Sequence, residues 1–149
     1  ALNATLATAE SITGGKVAHK IPLIPGSSDY FRGTIVAYHR PVKEQLLKVS
    51  TTTLDKYTPV SEETAMEMLD GILSAMGTDC GSAIAGNAGP TTDGKAEDVG
   101  TVCIAGGSKT EKRVKKHFFN KNREVNIEYA CMFSLHELRI LLTEYLVKA

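Results

Sequence analysis

The residues best equipped for chemistry cluster near the start of the chain. "TAESITGG" (8–15) sets Thr8, Glu10, Ser11 and Thr13 directly ahead of Gly14 and Gly15. Further on, "AYHRPVK" puts Tyr38 and Lys43 five residues apart. A serine hydroxyl is a weak nucleophile until a base takes its proton. A lysine serves as that base only when burial or neighbours lower its pKa toward neutrality, and a tyrosine can relay or share the proton. If Ser11 and the Tyr38–Lys43 turn sit at neighbouring strand ends, the three groups meet above the end of the sheet. The plainer reading makes Ser11 a helix cap, leaves Tyr38 partly buried and solvates Lys43. Spacing alone favours that plainer reading.

Two later segments also carry candidate groups. In "AGNAGPTTDG" (85–94), Gly86 and Gly89 let backbone approach a ligand closely, and Thr91, Thr92 and Asp93 add polar handles. The same residues suit a long turn between strands equally well. The segment "KTEKRVKKHFFNKNR" (109–123) carries seven Lys/Arg against one Glu. It reads as a phosphate or nucleic-acid surface helped by Phe118 and Phe119, or as an edge strand whose lysines discourage aggregation while the phenylalanines enter the core. The second reading fits a chain of zero net charge better. Arg123 stands apart from the others. At the end of a strand and just ahead of the last helix, its guanidinium can meet an anion.

Elements that would position these groups follow from the apolar pattern. Residues 5–10 read as a strand and 13–21 as a helix ending before Pro22. "GTIVAYH" (33–39) is a β-branched strand, and Pro41 then suits the first turn of a helix with Val42, Leu46 and Leu47 on one side. Ser61 is an N-cap followed by Glu62 and Glu63, and Ala65, Met68, Leu69, Ile72, Leu73 and Met76 recur at three and four before Gly77. "CGSAIAG" (80–86) and "VGTVCIAGG" (99–107) are buried strands, "RVKKHFF" an edge strand, and 125–147 a long final helix. Strands and helices alternate, which argues for α/β layering in one domain spanning 1–149.

Several familiar chemistries are excluded. "TGGKVA" has Glu10 where a P-loop needs its first glycine, and Val17 in place of Ser/Thr. No GxGxxG opens a helix, and GxSxG and HExxH are absent. Cys80, Cys103 and Cys131 form no CxxC, and no histidine stands at zinc-like spacing from them. No metal and no cofactor is expected. Apolar content of 42% and charged content of 23% are those of an ordinary globular protein, and no apolar run is long enough to cross a membrane. The N-terminal residues do not read as a signal peptide, so a cytoplasmic location with reduced cysteines is expected.

Taken in order, "TLATAESITGG", "PGSSDYFRGTIVAY…K", "VSEETAMEM", "GNAGP" and "VGTVCIA" resemble the CinA C-terminal domain family, the nicotinamide mononucleotide (NMN) deamidases. The resemblance implies a three-layer α/β/α sandwich around a mostly parallel (mixed) five-stranded sheet. It implies metal-independent hydrolysis of NMN to nicotinic acid mononucleotide and ammonia, a step in pyridine nucleotide salvage. Ser11 is then the nucleophile, with Tyr38 and Lys43 as the activating pair. Backbone around Thr13, Gly14 and Gly15 becomes the oxyanion and substrate contact, and Arg123 with the Gly86–Gly89 loop is expected at the phosphate. The chain departs from the family pattern between its activating residues: "YHRPVK" replaces a pattern near YSNEAK. Arg40 therefore stands where it can lower the pKa of Lys43 or meet the phosphate, and His39 offers another base. Ile12 stands where cysteine is usual, a packing change, and Asn87 where an apolar residue is usual. The alternative is a catalytically inactive nucleotide-binding or regulatory protein of the competence/damage-inducible type. Either way the expected partner is a small nucleotide, not nucleic acid or membrane, and a homo-oligomer is expected.

Overall fold

Small and β-branched residues in "LATAE" and "CGSAIAG" let two neighbouring strands run through the interior, buried at every position but the last of the second, Gly86. The computed structural model describes residues 3–92, 95 and 98–148. Its elements are β1 (Leu6–Glu10), α1 (Lys16–Lys20), β2 (Phe31–Val36), α2 (Arg40–Leu47), α3 (Thr51–Tyr57), α4 (Glu62–Met76), β3 (Cys80–Gly86), β4 (Thr101–Ser108), β5 (Lys112–Phe118) and α5 (Arg123–Lys148). The strands form one sheet in the order β2-β1-β3-β4-β5. β1 pairs in parallel with β2 and β3, while β4 is antiparallel to β3 and β5 to β4. Only β4 is reversed among these five, so the sheet is mixed with four strands running one way.

Alternation along β1 assigns the two faces. Ala7 and Ala9 pack with Leu47, Met68, Leu69 and Ile72 from α2 and α4. Leu6 points the other way, into a cluster with Val17, Ile84, Val102, Ala130 and Leu138 that brings in α1 and α5. The result is three layers, helices on both sides of the sheet. α4 begins as its sequence dictates, with Ser61 Oγ accepting from the Thr64 N–H at 3.1 Å. Gly71 lets it press against α2, because a Cβ there would collide with the Leu47 backbone.

Three elements differ from expectation. The helix expected over 13–21 begins only at Lys16, because Gly14 and Gly15 take positive φ (57° and 101°) and make a turn; beyond Lys20 a 3₁₀ turn, Ile21–Leu23, carries Pro22. β2 starts two residues early and ends at Val36, which frees Ala37 and Tyr38 for the turn into α2. α3 has no apolar periodicity to announce it: Leu54 is its buried residue. Its first turn is held from outside, by Glu67 of α4 accepting from the Ser50 N–H at 2.7 Å and from the Thr53 hydroxyl.

The basic edge strand β5 closes both layers. Lys112 pairs with Asp70 of α4, while Arg113 and Lys115 pair with Glu144 and Glu137 of α5. Phe119 enters the core as expected, but Phe118 does not: it is 60% exposed, on the opposite side of the alternating chain. No described helix is long and apolar enough to cross a membrane.

Candidate active site

The carboxyl ends of β1 and β2 lie side by side, Glu10 in register with Val36, and the Ala37 N–H donates to the Glu10 carbonyl at 2.7 Å. Ser11 therefore leaves β1 next to the turn that leads into α2. Its side chain continues the Ala7–Ala9 face, toward α2. His39 stands at the N-cap position with Pro41 in the first turn, and Lys43 follows one turn in. That places Lys43 under the strand ends, 2% exposed.

Lys43 Nζ has three oxygens around it: Ser11 Oγ at 3.0 Å, the Ala37 carbonyl at 2.6 Å and the Tyr38 carbonyl at 3.3 Å. Burial lowers its pKa from 10.5 to about 8. The chemistry follows from counting hydrogens. An ammonium donates all three; a neutral amine donates two and keeps a lone pair. With the two carbonyls holding two hydrogens, the lone pair of the neutral form faces Ser11, whose hydroxyl then becomes the donor. The same contact thus turns from a stored proton into a base aimed at a nucleophile.

Other expected site residues have different surroundings. The Tyr38 side chain is 60% exposed, and its hydroxyl accepts from Arg123 Nη2 at 3.1 Å; its link to Lys43 is the carbonyl. Arg40 is held by Glu44 at 3.0 Å and Asp55 at 2.6 Å, clasping α2 to α3, and burial alone accounts for the Lys43 shift. The pKa role expected for Arg40 is therefore not what lowers Lys43. His39 is exposed at the N-cap. The Gly14 N–H donates to the Ser11 carbonyl and the Gly15 N–H to Glu10, both at 3.0 Å, so neither is open to an oxyanion. Gly86 is a seat for Ile12: a Cβ on it would press at 3.0 Å against that side chain and Val102.

The Gly-rich loop is fastened by the first turns of α5. Arg123 Nη1 donates to the Gly89 carbonyl at 2.6 Å, and buried Asn126 donates to the Ala88 carbonyl at 3.1 Å. Asn87 accepts the Gly89 N–H at 3.1 Å, closing the turn. Asp93 lies outside the described residues. Beside this loop opens a cleft of about 720 Å³, with Ala88, Pro90, Phe118, Lys121 and Arg123 on its walls. A second cavity, of about 20 Å³ and bordered by Cys80 and Leu141, is of the order of one water molecule.

Competing nucleophiles are buried or distant. Cys80 and Cys103 are pushed up to about 11 by burial, and Cys131 is raised by burial as well. Among the described residues no three His, Cys, Asp or Glu side chains are grouped to hold a metal ion. Two contributors were not anticipated. Asn126 shows no signal in the sequence beyond a polar residue in a helical stripe. Glu10 does: period two in "LATAE" puts it on the inward face with Leu6 and Thr8, and it is fully buried.

The chain is similar to known proteins in both sequence and fold. The family profile described as the CinA C-terminal domain matches residues 1–142. A CinA-like protein of Salinibacter ruber is 37% identical over 139 residues, 93% of this chain and 34% of that protein. Another, of Thermosipho melanesiensis, is 41% identical over 137 residues, 91% of this chain and 34% of its own. The chain thus spans about a third of the length of these curated relatives. Among solved structures, competence damage-inducible protein A of Klebsiella pneumoniae superposes with a TM-score of 0.90 at 29% identity, covering 95% of this chain and 88% of that one. A CinA superfamily protein of Escherichia coli gives 0.85 at 31% identity, covering 90% and 78%.

Proposed function

This chain belongs to the CinA C-terminal domain family, and from that premise we propose that it hydrolyses the carboxamide of NMN to nicotinic acid mononucleotide and ammonia. One observation carries the reading. Lys43 Nζ lies 3.0 Å from Ser11 Oγ, buried, with its pKa lowered to about 8.

Neutral Lys43 takes the Ser11 proton as Oγ attacks the carboxamide carbon. Charge develops on the carboxamide oxygen, which needs donors fixed in advance. Of the peptide N–H groups from Ser11 to His19, those of Ile12 and Thr13 have no acceptor among the described hydrogen bonds, and they follow the nucleophile directly. They are the donors in this reading. Lys43 then passes its proton to the departing ammonia, and water attacks the acyl-enzyme with Lys43 again as base. Arg123 uses two of its five N–H groups on Gly89 and Tyr38, which leaves others for the 5′-phosphate at the edge of the open cleft. Tyr38 serves through its carbonyl on the amine and its hydroxyl at the entrance.

The test is ammonia release from NMN by purified protein without added metal, beside Ser11→Ala. Release by the parent and near-background release by the variant is the expected result. Equal release by both removes Ser11 as the nucleophile. A folded parent that releases none leaves a nucleotide-binding or regulatory role in place of the enzyme.

A further inference from the structure

Glu10 occupies an inward position on β1 where an aliphatic side chain would complete the core between β1, α1 and α5. A carboxylate stands there instead, with no exposed surface. Burying such a group is expensive unless its lone pairs are met. They are met by one short segment of chain. Oε2 accepts from the Thr13 hydroxyl at 2.6 Å, the Gly15 N–H at 3.0 Å and the Val17 N–H at 3.1 Å. Oε1 accepts from the Ala18 N–H at 2.7 Å, with the Thr34 hydroxyl at 3.5 Å. Four close donors therefore come from the six residues 13–18, the turn after Ile12 and the start of α1.

Around this carboxylate most backbone donors have an acceptor. Ser11 N–H goes to the Ile84 carbonyl, Gly14 to Ser11, Lys16 to Thr13 and His19 to Gly15; Glu10 takes Gly15, Val17 and Ala18. What remains without an acceptor, among the described hydrogen bonds, is the pair Ile12 and Thr13. Both residues are only 5% exposed, and Ile12 is seated on Gly86. Buried backbone donors are normally satisfied, so two adjacent free ones beside a serine are a feature to be explained.

We propose that Glu10 is a positioning residue for the reaction: its carboxylate fixes the Ser11–Gly15 turn and draws off the Thr13 hydroxyl, so that the Ile12 and Thr13 N–H groups stay fixed and unoccupied for the oxyanion. Glu10 touches no reacting atom, since its side chain leaves β1 on the face opposite Ser11. It acts through the turn. The inference rests on the serine-amidase reading, and its test is built to separate the two.

Glu10→Gln keeps the shape but turns an N–H₂ toward donors. Thr13→Val removes the hydroxyl that Glu10 holds, and Thr13→Ser restores it. With folding followed by circular dichroism and thermal melting, kcat for ammonia release should fall about ten- to a hundredfold in Glu10→Gln and in Thr13→Val, with KM within about threefold. Thr13→Ser should recover most of the loss. The Glu10→Gln/Thr13→Val double variant should be no worse than the poorer single, because both act on one turn. If Glu10→Gln does not fold, the Thr13→Val and Thr13→Ser pair decides the matter. Unchanged kcat in either folded variant, or losses that simply multiply, overturns the proposal.

Acylation of Ser11 by p-nitrophenyl acetate, read by mass on the Ser11 peptide, gives a second arm. If the parent releases no ammonia from NMN, the substrate reading fails while this arm still judges Glu10. Slowed acylation in both variants supports the positioning role. Equal rates, or a parent whose Ser11 is not acylated, overturn it.

Discussion

Lys43 is the residue whose chemistry can be read most directly from its surroundings. Three oxygens and no carboxylate surround its amine, so burial is uncompensated and the neutral form becomes reachable near pH 8. At pH 7 about a tenth of the molecules hold a neutral Lys43, rising to about half at pH 8. kcat for ammonia release should therefore climb roughly tenfold per pH unit below 8 and level off above it. A pH–rate profile flat from 6 to 9 would remove Lys43 as the base. Arg123→Gln should act differently, raising KM for NMN about tenfold or more with a smaller change in kcat, because its contact is with the part of the substrate that does not react. Spacing alone favoured a capping Ser11 and a solvated Lys43; the family resemblance singled the pair out, and the fold brings the two side chains to 3.0 Å. The Tyr38 hydroxyl contact was not legible: nothing in "VAY" says that Arg123, 85 positions away, will take it. Glu10 was legible in part, since period two put an acid on an inward face. Where its hydrogen bonds would go depended on two glycine conformations.

Elements whose own residues determine them were the ones that could be read in advance. α4 has a cap, acids in the first turn, an apolar stripe and a glycine stop, and it forms over the expected span. Ser61→Ala should cost about 1 kcal/mol of stability in urea unfolding, with m unchanged, because one N-terminal N–H loses its acceptor. Ammonia release should survive this change, since the Ser61 hydroxyl bonds to Thr58 and Thr64 and to neither Ser11 nor Lys43. α3 shows the opposite case. Three threonines and one buried leucine do not announce a helix, and the carboxylate that caps it belongs to α4. Tertiary contacts supplied what local sequence lacked. β5 lies between these cases: its lysines marked an edge, but their partners on α4 and α5 appear only once the layers are stacked.

At the scale of the whole molecule, the site works against the fold. A lysine kept at 2% exposure holds its charge less readily in the folded chain than in the unfolded one. Between pH 8 and 10.5 the unfolded state binds the extra proton, so stability rises with pH across that window. Below 8 both states are protonated and the full penalty stands; above 10.5 neither is, and the penalty is gone. The span of 2.5 pKa units corresponds to about 3 kcal/mol. Lys43→Met has no such group, so the stability of the parent relative to this variant should increase by up to about that amount between pH 8 and 10.5. The comparison is made as a difference because Cys80 and Cys103, raised to about 11, act in the opposite sense near the same range and are common to both proteins. Urea unfolding of the pair at pH 7.5 and pH 10 measures it. A constant difference between them would mean that Lys43 titrates alike in both states and that the buried amine is not the base held near neutrality. A difference that grows with pH would tie the poised base and the weakened fold to one desolvated nitrogen.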